Sequence, residues 1–231
     1  MTLVNLMRVP NPALPIPCWV CVKYARVYPK AEEKKAEIKR VKIFIDDENF
    51  LFRYIPIEEI FDLVRGNGKY TKSYVQNHKG EYPLYSGNTS GLFATIDSFD
   101  FDSPCLSWAI DGLAGFMMIH DESFSATNHR AVLLPRKDMV EKIDLKYMKY
   151  ILEPLFRASK KGREGDNGEN EYTTLPPFMV ADIMVPVPVD SQDNINLDAQ
   201  KEIAAKYLAI EQSKDEVISK LDMLIQQKIE L

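Results

Sequence analysis

LDAQKEIAAKYLAIEQSKDEVISKLDMLIQQKIEL, residues 197–231, carries the plainest physical signal in the chain. Ile203, Tyr207, Ile210, Val217, Leu221 and Leu224 follow alternating steps of four and three, with Lys214 and Lys228 interrupting the row. Leu208, Ile218, Ile225 and Ile229 form a second row beside it. This is the period of an α-helix. At the standard rise the segment is about 50 Å long, more than a small domain can cover. A helix this long with an apolar side calls for a partner helix; the competing arrangement folds it back on its own domain. The first row is the expected dimer face.

Upstream, Pro186 and Pro188 mark a stiff exit, and 159–173 reads as an exposed loop, basic and then acidic and Gly-rich. Asp144 is placed to cap a second helix bearing Leu145, Met148, Leu152, Leu155 and Phe156, which Pro154 should bend or end. Short apolar runs at 83–85, 92–96, 105–110, 116–119 and 131–134, broken by Gly, Asn, Asp and Ser, predict a compact sheet with polar turns. Ile57, Ile60, Phe61 and Val64 fall at i, i+3, i+4 and i+7 and predict an amphipathic helix of about three turns, with Gly66 as its stop. A charged stretch, 30–42, leads to a strand-like 41–45; residues 1–22 are apolar and Pro-rich without a period. The expected class is α+β: a compact domain with a small mixed β-sheet and flanking helices, then one long C-terminal coiled-coil-type helix.

With 231 residues, 45% apolar and 27% charged, the composition excludes collagen-like, wholly disordered and disulfide-framework classes. No apolar run reaches the ~18 residues of a membrane span. The start holds one basic residue, Arg8, and then Pro10, Pro12, Pro15 and Pro17, unlike a signal peptide. Three cysteines, an odd number, fit a reducing compartment. A cytoplasmic location and no membrane partner are expected. A net charge of −5 argues against indiscriminate coating of nucleic acid, so DNA binding would need local basic patches.

Two such patches exist. From Arg65 to Gly80 the chain carries Arg65, Lys69, Lys72 and Lys79 with His78 and no acid, and Tyr70 and Tyr74 lie between the lysines. Arg157, Lys160, Lys161 and Arg163 form the second, likewise without acids. Ammonium and guanidinium groups neutralise phosphates, and tyrosines stack or hydrogen-bond; the alternative is a solvated basic loop. Cys18 and Cys21 form a lone C-x-x-C, to which Cys105 and three histidines add no second pair at metal spacing, so no metal site is expected. His120, Asp121, Ser123, Ser125 and His129 could suggest a hydrolase, yet neither a nucleophile elbow nor a zinc helix accompanies them. No Gly-rich cofactor turn is present. Leu175-Pro176-Pro177-Phe178 lacks the Asn or Asp that opens the amino-methyltransferase motif. No catalytic residue and no cofactor of its own are expected.

In order along the chain, Ile55-Pro56-Ile57-Glu58-Glu59-Ile60-Phe61, Arg65-Gly66-Asn67-Gly68-Lys69-Tyr70 and Gly80-Glu81-Tyr82-Pro83-Leu84-Tyr85-Ser86-Gly87-Asn88 resemble motifs of one family. So do Asp111-Gly112-Leu113-Ala114-Gly115, Phe124-Ser125-Ala126-Thr127-Asn128, Asp144-Leu145-Lys146-Tyr147-Met148 and Gln200-Lys201-Glu202-Ile203. The chain resembles a type I restriction-modification specificity (S) subunit over about residues 54–231, in a half-size form with a single target-recognition domain. The organisation this implies is an N-terminal segment of unassigned role (1–53), a DNA target-recognition domain (54–190) and a dimerisation or spacer helix (191–231).

The resemblance implies a non-catalytic subunit that reads a split site on double-stranded DNA. It directs partner methyltransferase subunits, which hold S-adenosylmethionine, and a restriction subunit where one exists. By position, Ser86, Asn88, Thr89, Asn128, His129 and Arg130 are the base-reading candidates. Lys69, Tyr70, Lys72, Tyr74, Lys79, Lys160, Lys161 and Arg163 are the phosphate candidates. A homodimer through the last helix supplies the second half of the site. From a different class, the alternative is a non-DNA-binding protein–protein adaptor with a helical oligomerisation tail. A hydrolase built on His120 or His129 is the third reading.

Overall fold

The computed structural model describes residues 50–87, 92–102, 104–163 and 172–227. The expected strand at 41–45, the charged stretch before it, Cys18, Cys21, Asn88, Thr89, Lys228 and Ile229 lie outside the described residues. The chain divides into two compact units, one of Phe44–Ala209 and another that includes Ile210–Leu231. All strands among the described residues belong to the first.

Its central layer is an antiparallel four-stranded sheet in the order β2 (Phe61–Arg65), β9 (Arg130–Pro135), β5 (Cys105–Ala109), β7 (Met117–His120). Trp108 and Leu106 on β5 and Ala131 and Leu133 on β9 are fully buried. Against them packs α3 (Leu145–Ser159), where Phe156 meets Trp108 edge to face with ring centroids 5.2 Å apart. Asp144 caps α3 as expected, its carboxylate accepting from the Tyr147 N–H at 2.7 Å. Pro154 does not end the helix, which continues to Ser159. Each fully buried large side chain in this core contributes about 1.5–3 kcal/mol.

The expected three-turn helix from Ile57 to Val64 is not formed. A single turn, α1 (Ile57–Ile60), follows the strand β1 (Leu51–Pro56) and passes straight into β2. Phe61 pairs with Pro135 and Arg65 with Ala131, and this ladder to β9 takes the hydrogen bonds that a continuing helix would need. Ile57 and Ile60 are fully buried, so the apolar spacing is used for one turn only.

The stiff exit around Pro186 and Pro188 is also a strand. β12 (Met184–Val189) pairs antiparallel with β1, placing Pro186 opposite Tyr54 and Pro188 opposite Phe52. The Pro186 carbonyl accepts from the Tyr147 hydroxyl at 2.6 Å and the Pro188 carbonyl from the Asn196 N–H at 2.9 Å.

Two small sheets complete the unit. One has the order β4 (Ala94–Ile96), β3 (Tyr82–Tyr85), β8 (Ser125–Ala126), with β8 parallel to β3; α2 (Lys72–Asn77) precedes β3 in the chain. The other has the order β10 (Lys161–Arg163), β11 (Tyr172–Thr174), β6 (Asp111–Gly112), so the ends of the expected 159–173 loop are strands.

The last helix, α4 (Leu197–Gln227), spans 31 residues. Its first turns belong to the Phe44–Ala209 unit. Ile203 is 3% exposed within the main core, and Tyr207 stacks on Tyr150 with centroids 5.1 Å apart. The side-chain carbonyl of the buried Gln200 accepts from Asp144 N, and its amide donates to the Lys142 carbonyl. Ile203 and Tyr207, expected on the dimer face, therefore pack within their own unit. Farther along, Val217, Met223 and Leu224 are exposed.

Candidate nucleic-acid interface

The turn after β2 and the turn between β8 and β9 are laced together by backbone bonds. Gly66 N–H donates to the Arg130 carbonyl, Asn67 N–H to Ala126 and Thr127 N–H to Tyr85. Arg65 Nε adds a bond to the Asn128 carbonyl at 3.0 Å. The approach leaves no room for a side chain at residue 66, where a Cβ would collide with the Thr127 and Ala126 carbonyls. The Thr127 hydroxyl donates to Ser86 Oγ at 2.9 Å, and its oxygen accepts from His129 N–H. Three segments distant in sequence are thereby fixed as one polar surface, with Asn128 half-buried and His129 exposed.

Ser86, Asn128 and His129 are brought together. Arg130 is not on that surface. It is fully buried, with Nε donating to the Ser86 carbonyl and Nη1 to Ser107 Oγ, both at 2.8 Å. Burial lowers its guanidinium to about 10, still cationic at neutral pH. An arginine enclosed in this way supports the turn from behind and presents no donor to a base edge.

His129 is tethered too: its Nδ1 lies 3.0 Å from Asp111 Oδ2, and Asp111 Oδ1 accepts from the Thr174 hydroxyl at 3.1 Å. Thr174 does not stand out in the sequence, and Asp111 enters it only as the first residue of the Asp111–Gly115 motif; their pairing across β6 and β11 joins residues 63 apart.

Of the phosphate candidates, Lys69, Lys72 and Lys79 are exposed, as are Lys161 and Arg163; Lys160 is half-buried. Lys69 lies 3.6 Å from Asp100. Tyr70 departs from expectation: it is 4% exposed, packs with Leu84 and Ile96, and donates to Asp100 at 2.7 Å. Its ring is core, which a run of alternating lysines and tyrosines does not reveal. Tyr74 is half-buried and stacks on His78 at 3.9 Å.

Of the two histidines of the hydrolase reading, His120 is enclosed. His120 is 5% exposed, stacked on Phe124 at 3.8 Å, with Nε2 2.6 Å from Ser107 Oγ. Burial and the Arg130 charge lower its pKa to about 4. Burial and Asp121 push the Cys105 thiol up to about 12. A separate groove of about 490 Å³ between α3 and the first turns of α4 is lined by Lys146, Lys149 and Lys201 with Ile119, Ala204 and Leu208. Among the described residues no helix is long and apolar enough to cross a membrane, and no group of three metal-binding side chains occurs.

A small sheet with interlocked polar turns, followed by a long helix, is the architecture of a recognised class. The chain belongs to the type I restriction modification DNA specificity domain family, which it matches over residues 51–220. It is 32% identical over 106 residues to a type I specificity subunit of Mycoplasma pneumoniae, a stretch making up 45% of this chain and 29% of that one. The chain spans about a third of the length of that curated relative. The fold resembles the type I S subunit of M. genitalium (TM-score 0.55, 17% identity, 74% of this chain and 41% of the other). It also resembles a chain solved in work on complex assembly and conformational transition of the type I R-M system (TM-score 0.61, 14% identity, 90% and 54%). At these identities the likeness is one of fold.

Proposed function

We propose that this chain reads duplex DNA for a type I restriction-modification system and performs no chemistry itself. In this reading the interlocked turns carrying Ser86, Asn128 and His129, with Asn88 and Thr89 following Ser86, meet base edges in the major groove. Lys69, Lys72 and Lys79, with Lys160, Lys161 and Arg163, hold the backbone. Phosphate contacts fix register and supply salt-dependent affinity, while short amide, hydroxyl and imidazole groups discriminate donor and acceptor patterns. Methyltransferase subunits carrying S-adenosylmethionine, and a restriction subunit, are the partners brought to the site.

One observation carries the reading: polar side chains, His129 exposed and Ser86 and Asn128 half-buried, sit on turns held rigid by backbone bonds and by a buried arginine, with exposed lysines alongside. Contacts that must be reproducible to a fraction of an ångström need this kind of support. The second half of a split site comes from a second copy, paired through α4 beyond Ala209, where Val217 and Leu224 are exposed. Binding of the purified chain to random duplex DNA over a range of salt tests the reading. Affinity should fall steeply with salt; absence of binding at every salt concentration would favour the protein–protein adaptor.

A further inference from the structure

The two faces of the β10–β11–β6 sheet differ sharply in their contents. Directly opposed residues of an antiparallel ladder point to the same side. Lys161 opposes Thr174, Arg163 opposes Tyr172, and Thr174 in turn opposes Asp111. Lys161, Arg163, Tyr172 and Thr174 therefore share a face with Asp111, and all four are exposed, Tyr172 at 72%. The opposite face carries Gly162, Thr173 and Gly112, with Thr173 only 2% exposed and donating to the Gly112 carbonyl. Gly162 has φ +127, and a Cβ there would lie 2.5 Å from the Tyr172 carbonyl and 3.0 Å from Thr173 Cα, so the two strands approach as only glycine permits.

This exposed face is continuous with the turn surface described above, because Asp111 binds both the Thr174 hydroxyl and the His129 ring. A row of two cations, an exposed phenol and a hydroxyl, ending on an imidazole, suits an anionic, hydrogen-bonding groove. The major groove is wide enough for a two-stranded ribbon. We propose that the exposed face of the β10–β11–β6 sheet is a DNA-reading ribbon. Lys161 and Arg163 hold phosphates, Tyr172 and Thr174 face the groove, and Asp111 is a positioning residue that orients His129. A carboxylate only accepts, so the Nδ1 it faces carries the proton and Nε2 is left toward the DNA. The inference rests on the DNA-reading function proposed above and adds Tyr172, Thr174 and Asp111 to it.

The test is fluorescence anisotropy of the full chain with short labelled duplexes of randomised sequence over a range of KCl, with sequencing of the bound fraction. Lys161→Ala with Arg163→Ala should weaken binding to all duplexes about tenfold or more and flatten the log–log salt slope by about one to two. Lys161→Arg should restore the slope. Tyr172→Ala should weaken binding, while Thr174→Val and Asp111→Asn should change the enriched bases. Lys146→Ala, in the groove beside α4, should bind as the parent does. If all ribbon variants bind and select like the parent while Lys69→Ala with Lys72→Ala loses affinity, DNA reading stands and the ribbon is discarded. If the parent binds no duplex, both proposals fall.

Discussion

Arg130 ties the turn proposed to read DNA to a buried chain of hydrogen bonds. Its Nη1 donates to Ser107 Oγ, which turns the Ser107 proton toward His120 Nε2 at 2.6 Å. That nitrogen must then be an acceptor, and a second proton on the ring would place two cations about one hydroxyl. Unfolded, the imidazole takes up its proton near pH 6.5; folded, it does so only near pH 4. Acidification through that window therefore favours unfolding, by about 3 kcal/mol at the bottom of it, and above it the ring adds no pH dependence. Urea melts at pH 7 and pH 4.5 should show the parent losing more stability than His120→Gln; equal losses would assign the effect to other groups. At the surface, Lys69→Ala with Lys72→Ala should weaken binding to every DNA sequence and reduce the salt slope by about one to two. Asn128→Ala should instead shift sequence preference, at about 1–3 kcal/mol for a lost bidentate contact. A lysine variant with altered preference and an unchanged salt slope would reverse these roles. The inward turn of Arg130 and Tyr70 was not legible in the chain, because nothing local distinguishes an exposed cation or phenol from one that a distant segment covers.

Elements built from local information were legible. The Asp144 cap and the apolar stripe Met148, Leu152 and Phe156 mark α3, and β5 and β9 match the apolar runs at 105–110 and 131–134. The 57–64 stretch misled because its apolar spacing fits one helical turn and a strand equally well. Its choice depends on β9, some seventy residues away. β1 and β12 were missed for the same reason: each gains its ladder from the other, far along the chain. The last helix changes surroundings along its length, from the buried Ile203 to the exposed Val217 and Leu224. Ile203→Ala should destabilise the Phe44–Ala209 unit by about 2–5 kcal/mol in a denaturant melt. Leu221→Asp with Leu224→Asp should leave that melt unchanged and convert a dimer to a monomer in light scattering. A parent protein monomeric at micromolar concentration would remove the proposed pairing.

For the whole molecule, a pair of identical readers about a two-fold axis must recognise two like half-sites, so the proposed homodimer reads a palindromic split sequence. Sequencing methylated sites in the host, with and without the gene, reads this directly. A motif with unlike halves would mean that a different subunit fills the second position. Purified chain given S-adenosylmethionine and DNA should transfer no methyl groups; radiolabel incorporation by pure protein would overturn the non-catalytic reading.

The outer side of β12 bears on how the protein behaves at high concentration. A strand edge with free donors and acceptors is a template on which another chain can polymerise. Here two of the three residues facing away from β1, Pro186 and Pro188, have no N–H to offer, and their carbonyls are already occupied by Tyr147 and Asn196. From Pro186 to Pro188 that edge is closed to templated growth, which leaves Met184 as its one outward N–H donor among the strand's residues.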